Sequence, residues 1–258
     1  MASDRRRNLK RIVDGDCSGC LTVLPLAAEG FDLSATQFRD QLALRYYHTP
    51  TGFPAMCDSC GADFTLQHAL DCKKGGLVKQ GHDQVRDNDV RLAEEAWGGV
   101  VVEPVLAPES DRTGHPSLQA DWCARGVWEG SRVAFFDNCI VDADTPSYLS
   151  SHLLWAAISN KAVAEKRRKY ASVVEELRGS ITPLVCSTDC ALHSEYTALQ
   201  RRLASRLAAK WERPRSAVMA CVRARTQMAI IRAVDLRLRG TRRRLAGLSP
   251  AKGLGPII

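Results

Sequence analysis

Residues 120–141 read Ala-Asp-Trp-Cys-Ala-Arg-Gly-Val-Trp-Glu-Gly-Ser-Arg-Val-Ala-Phe-Phe-Asp-Asn-Cys-Ile-Val, and this stretch sets the architecture. Two strand-like runs, 120–128 and 133–141, are separated by Glu129-Gly130-Ser131, a spacing that predicts a hairpin. Alternation puts 133, 135, 137, 139 and 141 on one side, so Asp137 shares a face with Val133, Phe135, Cys139 and Val141. A carboxylate in so apolar a strand is costly unless it is paired or bound to a metal. On the preceding strand Asp121 lies between Ala120 and Trp122 and shares its face with Cys123 and Arg125. Two acids on adjacent strands can hold Mg²⁺ or Mn²⁺, hard cations that take carboxylate oxygen.

Working outward, Val100 to Leu106 is rich in β-branched residues and reads as a further strand, followed by a Pro/Asp/Gly loop through Pro116. A polar helix is expected from His82 to Trp97, closed by Gly98-Gly99. Downstream, a helical pattern covers about 147–177, Ile181 to Ser187 reads as a strand, and helices fill 191–211 and 215–239. The order (helix, three strands, long helix, strand, helices) predicts an α/β core with a mixed sheet. The long helix has an apolar stripe at Leu149, Ala156, Val163, Tyr170, Val174 and Leu177, and Lys166 lies on it. Such a lysine either snorkels to an edge or reaches the two acids. Two Asp and a Lys around a metal suit phosphodiester hydrolysis, in which the metal activates water and the ammonium stabilises phosphate charge. Structural salt bridging is the competing reading.

Upstream, residues 57–72 read C-D-S-C-G-A-D-F-T-L-Q-H-A-L-D-C, a C-x2-C-x7-H-x3-C array. Cys57 and Cys60 flank a turn closed by Gly61. Thr65 is a candidate N-cap for a short helix, on which His68 and Cys72 stand four residues apart on one face. Three thiolates and one imidazole form a closed tetrahedral set, the pattern of structural rather than catalytic zinc. Chance clustering in a chain of ten cysteines is the alternative. Ahead of it, Ser34 opens a capped helix that ends before Thr49-Pro50-Thr51-Gly52, and Lys73-Lys74-Gly75-Gly76 reads as a hinge. Cys17-Ser-Gly-Cys20 is either half of a second zinc site or a plain loop. Cys123, Cys139, Cys186, Cys190 and Cys221 fall in strand or helix patterns, where cysteine acts as a small hydrophobe.

Composition is that of an ordinary globular chain, 45% hydrophobic and 25% charged over 258 residues. No apolar run approaches the roughly 20 residues needed to span a membrane, and the basic N-terminus lacks the apolar stretch of a secretory leader. A reducing compartment, nucleus or cytoplasm, is therefore expected. The net charge of +7 is uneven: residues 201–245 carry fourteen Lys or Arg against Glu212 and Asp235. A basic region on a roughly neutral body is an electrostatic footprint suited to nucleic acid, with a solvated helix face or an anchor for acidic lipid as rivals. Arg242-Arg243-Arg244 could bind phosphate or serve as a nuclear address.

Several segments together carry a resemblance. They are L-T-V-L-P-L and F-R-D-Q-L-A-L-R-Y before the array, H-A-L-D-C-K-K-G-G ending it, then H-D-Q-V-R-D, A-D-W-C-A-R-G-V-W, A-F-F-D-N-C-I-V, E-K-R-R-K-Y and G-S-I-T-P-L-V. In this order, over nearly the whole chain, it resembles the C-terminal part of non-LTR retrotransposon polyproteins that carry a restriction-like endonuclease behind a CCHC zinc knuckle. The resemblance implies a PD-(D/E)xK nuclease core that nicks target DNA, with Asp121 and Asp137 as metal-binding acids and Lys166 and Tyr170 as a pair on the helix. It also implies that His82, with Arg86 and Asp87 behind it, supports substrate. Departures are Gly81 where the family tends to have Arg, Asp83 in place of Asn, and Cys139 where a basic residue is usual. The last requires Lys166 to supply the cation, or leaves the site crippled. No polymerase signature precedes the knuckle, so the reverse transcriptase is expected to be lacking.

The expected organisation is a lead-in over 1–56, the knuckle over 57–76, a restriction-endonuclease-like core over 77–190, a basic helical region over 191–245 and a tail over 246–258. Implied partners are DNA, with RNA as a further candidate, and no membrane. Implied cofactors are structural Zn and catalytic Mg or Mn. A catalytically inactive nucleic-acid binder and an interaction scaffold with a merely structural acid pair are the alternatives.

Overall fold

The computed structural model describes residues 2–109 and 117–243. The loop before Pro116, Arg244 and the tail over 246–258 lie outside the described residues. The hairpin is present: β4 (Trp122–Arg125) pairs antiparallel with β5 (Val133–Val141), with Trp122 opposite Phe136. β5 pairs parallel with β6 (Ser180–Ser187), and β1 (Val101–Val102) pairs antiparallel with β4, giving a mixed sheet in the order β1-β4-β5-β6. The chain is thus mixed α/β, as expected from the element order.

The strand expected over Val100–Leu106 is broken. Glu103 adopts a left-handed φ of 50° before Pro104, so the run divides into β1 and β2 (Val105–Ala107). β2 leaves the main sheet to pair with β3 (Leu118–Gln119). Likewise the helix expected over 147–177 is two. The short α5 (Pro146–Ser150) stops at a turn with His152 at φ 50°, and α6 (Trp155–Glu176) restarts beyond it.

The sheet has two covered faces. Cys123 and Phe135 pack with Tyr170 and Val174 of α6 on one side. On the other, Trp122, Ala124, Phe136 and Leu184 join a larger core with α4 (Leu77–Trp97), α7 (Ser194–Trp211) and α8 (Arg215–Arg239). Trp122 and Phe136 stack at 3.9 Å there. The chain ahead of residue 57 feeds the same core through Ile12, Cys17 and Cys20. Its helix α1 (Ala2–Asp14) sends Arg11 to Asp189 and Asp144 at 2.6 and 2.5 Å. Helix α2 (Ala35–Arg45) opens with the expected cap, a box in which Ser34 and Gln37 satisfy each other's amides. Leu21, Leu24 and Leu26 of the L-T-V-L-P-L segment stay exposed. No helix among the described residues is long and apolar enough to cross a membrane.

Candidate functional site

The four ligand atoms of Cys57, Cys60, His68 and Cys72 lie within 4.8 Å of one another. The turn forms because Met56 bridges Asp63, the Gly61 amide donates to Cys57 O at 3.1 Å, and Gly61 takes a φ of 71° that a side chain would resist. Thr65 accepts the His68 amide at 3.1 Å and so starts α3 (Leu66–Asp71), which aims His68 back at the turn. Cys60 Sγ and His68 Nε2 are 3.4 Å apart. A tetrahedron with zinc–sulfur bonds of about 2.3 Å needs ligand atoms about 3.8 Å apart, and this set meets that scale. Burial raises the Cys57 thiol, but the Cys60 and Ser59 amides with the His68 and Cys60 side chains outweigh it and bring it to about 6. The cluster can hold a metal ion such as zinc. It is the only such group of three or more Cys, His, Asp or Glu among the described residues.

The acid pair stands where β4 ends and β5 runs on. Asp137 is 3% exposed; Tyr170 Oη donates to its Oδ1 at 2.6 Å, and Lys166 Nζ lies 2.6 Å from its Oδ2. Both partners come from α6, on the stripe that the sequence marked. Burial opposes the charge on Lys166, yet Asp137 raises its pKa above the ordinary lysine value. Burial and the Asp137 carboxylate likewise push the Tyr170 hydroxyl well up. Position 139 carries a half-buried thiol, raised by burial, so the cation at Asp137 comes from α6 rather than from β5.

Asp121 sits one register step before Trp122, opposite Asp137. With no β4 residue beyond it, the Asn138 amide donates to Asp121 Oδ2 at 2.6 Å. His82 Nε2 approaches the same oxygen at 3.0 Å, and its Nδ1 lies 3.2 Å from Asp83 Oδ1. Burial lowers the His82 pKa, but Asp121 and Asp83 together raise it. Arg86 behaves otherwise: it pairs with Glu103 at 2.7 Å, Asp87 at 2.9 Å and Asp83 at 3.3 Å. The structure therefore joins Asp137, Lys166 and Tyr170 in one cluster and Asp121 with His82 in its neighbour, while Arg86 is spent on acids of its own surroundings.

Sequence reasoning passed over Asp89, Asn138 and Tyr196. Asp89 Oδ2 accepts from Tyr196 Oη at 2.5 Å and from Asn138 Nδ2 at 2.8 Å, and Asn138 Oδ1 accepts from Trp122 Nε1 at 3.2 Å. The signal was there: Asp89 interrupts the apolar spacing Val85, Leu92, Ala96 on α4, and Asn138 stands between Phe136 and Ile140.

The expected basic region is partly taken up within the fold. Arg223, Arg225, Arg232 and Arg239 of α8 pair with Asp16, Glu29, Asp32 and Asp40. Arg237 is buried, which lowers its pKa. Arg242 packs over Phe64 at 5.0 Å and donates to Ala69 O at 2.9 Å, so this end of the chain clamps the Cys/His cluster. Of the glycine pair expected as a hinge, Gly75 lies against the residues after α8: a Cβ there would meet the Arg242 Cα at 2.5 Å.

No protein-family model matches the chain, and no curated protein matches it.

Proposed function

We propose that this protein is a metal-dependent DNA endonuclease of retrotransposon origin, with a restriction-endonuclease-like core and a nucleic-acid-binding zinc knuckle. The observation that carries the reading is the contact of Lys166 with Asp137 at 2.6 Å, made from α6 to the strand beside Asp121. Asp121 and Asp137 would hold Mg²⁺ or Mn²⁺, which would bind the scissile phosphate and activate water. Lys166, held beside Asp137, would set its ammonium against phosphate charge. Tyr170 fixes the Asp137 carboxylate through Oδ1, while Oδ2 faces Lys166. His82, charged below its raised pKa and bonded to Asp121, orients that carboxylate and adds positive charge beside it. On this reading the protein works in the nucleus, on duplex DNA.

A second reading has an observation of its own. Both oxygens of Asp137 are engaged by Lys166 and Tyr170, and position 139 offers no second cation. That arrangement also suits a relic that binds nucleic acid without cutting it. Nicking of supercoiled plasmid with Mg²⁺ or Mn²⁺ separates the two. The endonuclease reading expects relaxation by the wild type and a loss of about 10²-fold or more in Asp137→Ala, the scale of removing one group that stabilises developing charge. Salt-sensitive binding with no nicking by the wild type would establish the binder instead.

A further inference from the structure

Four exposed cations stand outside the pairing that engages Arg223, Arg225, Arg232 and Arg239 of α8. Arg202, Arg206 and Lys210 stand four residues apart on α7, so they form one row along a helix face, with about 6 Å of rise between neighbours. Backbone carbonyls rather than acids hold them: Arg202 Nε donates to Val127 O at 2.9 Å, Arg206 Nε to Ala96 O at 3.4 Å, and Lys210 Nζ to Glu95 O at 2.7 Å. At the end of β4, Arg125 donates to Ser131 O at 2.9 Å. None of the four is paired with an acid among the described residues.

Arg125, Arg202 and Arg206 line a groove of about 870 Å³, with Gly98, Gly99, Gly126 and Gly130 between them. A Cβ on Gly98, Gly99 or Gly130 would meet nothing, so bare backbone forms that part of the wall and leaves the guanidinium groups accessible. The neighbouring acid, Glu94, is spent on the amides of Gly99 and Val100 at 3.2 and 2.8 Å. Guanidinium groups anchored through Nε keep their terminal N–H pair free, the fork that fits phosphate oxygens. Arg125 lies four residues along the strand from Asp121, about 14 Å, which corresponds to about four base-pair rises of duplex DNA.

We infer that this groove seats the phosphodiester backbone of duplex DNA about four base pairs from the bond addressed by Asp121 and Asp137. The inference rests on the endonuclease reading for the identity of the polymer. The full chain is titrated into a fluorescent DNA duplex across a salt series, with circular dichroism to check that each variant folds. Arg202→Gln/Arg206→Gln is expected to weaken binding by about tenfold or more and to reduce the salt slope by about 2, one unit per lost phosphate contact. Arg202→Lys/Arg206→Lys retains the charge and should recover most of the affinity. Arg5→Gln/Arg6→Gln removes the same charge from an exposed face of α1 and should act far less.

Equal effects of the groove and α1 pairs, or none from either, overturn the groove assignment. If the wild type nicks plasmid all the same, the endonuclease reading survives that loss. A wild type that neither nicks nor binds duplex overturns both. Tighter binding of single-stranded RNA through the same arginines overturns the duplex assignment.

Discussion

Asp89 shows what a single buried side chain can fix. It is 1% exposed and tied to Tyr196 and Asn138, so it joins α4, α7 and β5 directly behind the strand that carries Asp137. Burial raises its carboxyl from 3.8 to about 6 despite the hydrogen bonds it accepts. A carboxyl with a folded pKa above its unfolded one binds protons more tightly in the native state. Its contribution therefore favours folding below about pH 4 and is lost as pH rises through about 6. Asp89→Asn removes this titration while keeping an acceptor for Tyr196 and Asn138. Between pH 4 and pH 7 the stability difference should move toward the variant by up to about 3 kcal/mol, read from urea unfolding at a series of pH values. A difference that stays constant with pH would mean that Asp89 is ionised throughout. Asp137 has the countercharge that Asp89 lacks, because Lys166 Nζ lies 2.6 Å from its Oδ2.

Helices α4 and α8 cross tightly because of Gly81. A Cβ there would lie 2.9 Å from Ala233 O and 3.3 Å from its Cβ. The position is a buried helix crossing, not a surface. Gly81→Ala gains about 1 kcal/mol of helix propensity but overpacks the crossing, a cost of about 1–3 kcal/mol. The expected result is a net loss of about 1 kcal/mol in chemical denaturation. A gain in stability would mean that α4 and α8 part without cost, and His82 would then not be held by this contact. The broken elements have equally local causes, Glu103 before Pro104 and the turn at His152, where backbone geometry overrode a periodic pattern.

At the scale of the molecule, the Cys/His cluster is clamped to the end of α8. Asp58 accepts the Arg242 amide at 2.9 Å, and Phe53 and Phe64 pack edge to face at 5.4 Å. Arg239 covers Phe53 at 4.8 Å while pairing with Asp40 of α2. Metal removal should therefore be felt beyond residues 57–72. With a strong chelator the protein should release one equivalent of zinc and melt several degrees lower, at roughly 2–4 °C per kcal/mol for a domain of this size. An unchanged melting curve with no metal released would remove the zinc assignment. The pairing of α8 with Asp16, Glu29, Asp32 and Asp40 also shows what net charge over 201–245 leaves out: acids distant in sequence meet four of its fourteen Lys and Arg residues.

The amino-acid sequence by itself determined the hairpin over 120–141, the faces of Asp137 and Lys166, and the Cys/His array, because each rests on a short period or a short spacing. Residues two apart on a strand, or four apart on a helix, share a side whatever surrounds them. Tertiary structure alone decided that Tyr170 holds Asp137, that Arg86 serves Glu103 and Asp87 rather than the acid pair, and that Asp89 lies behind the site. It also decided which arginines remain free. Those outcomes depend on which element packs against which, and on the cost of leaving a charge buried without a partner. No local period encodes either.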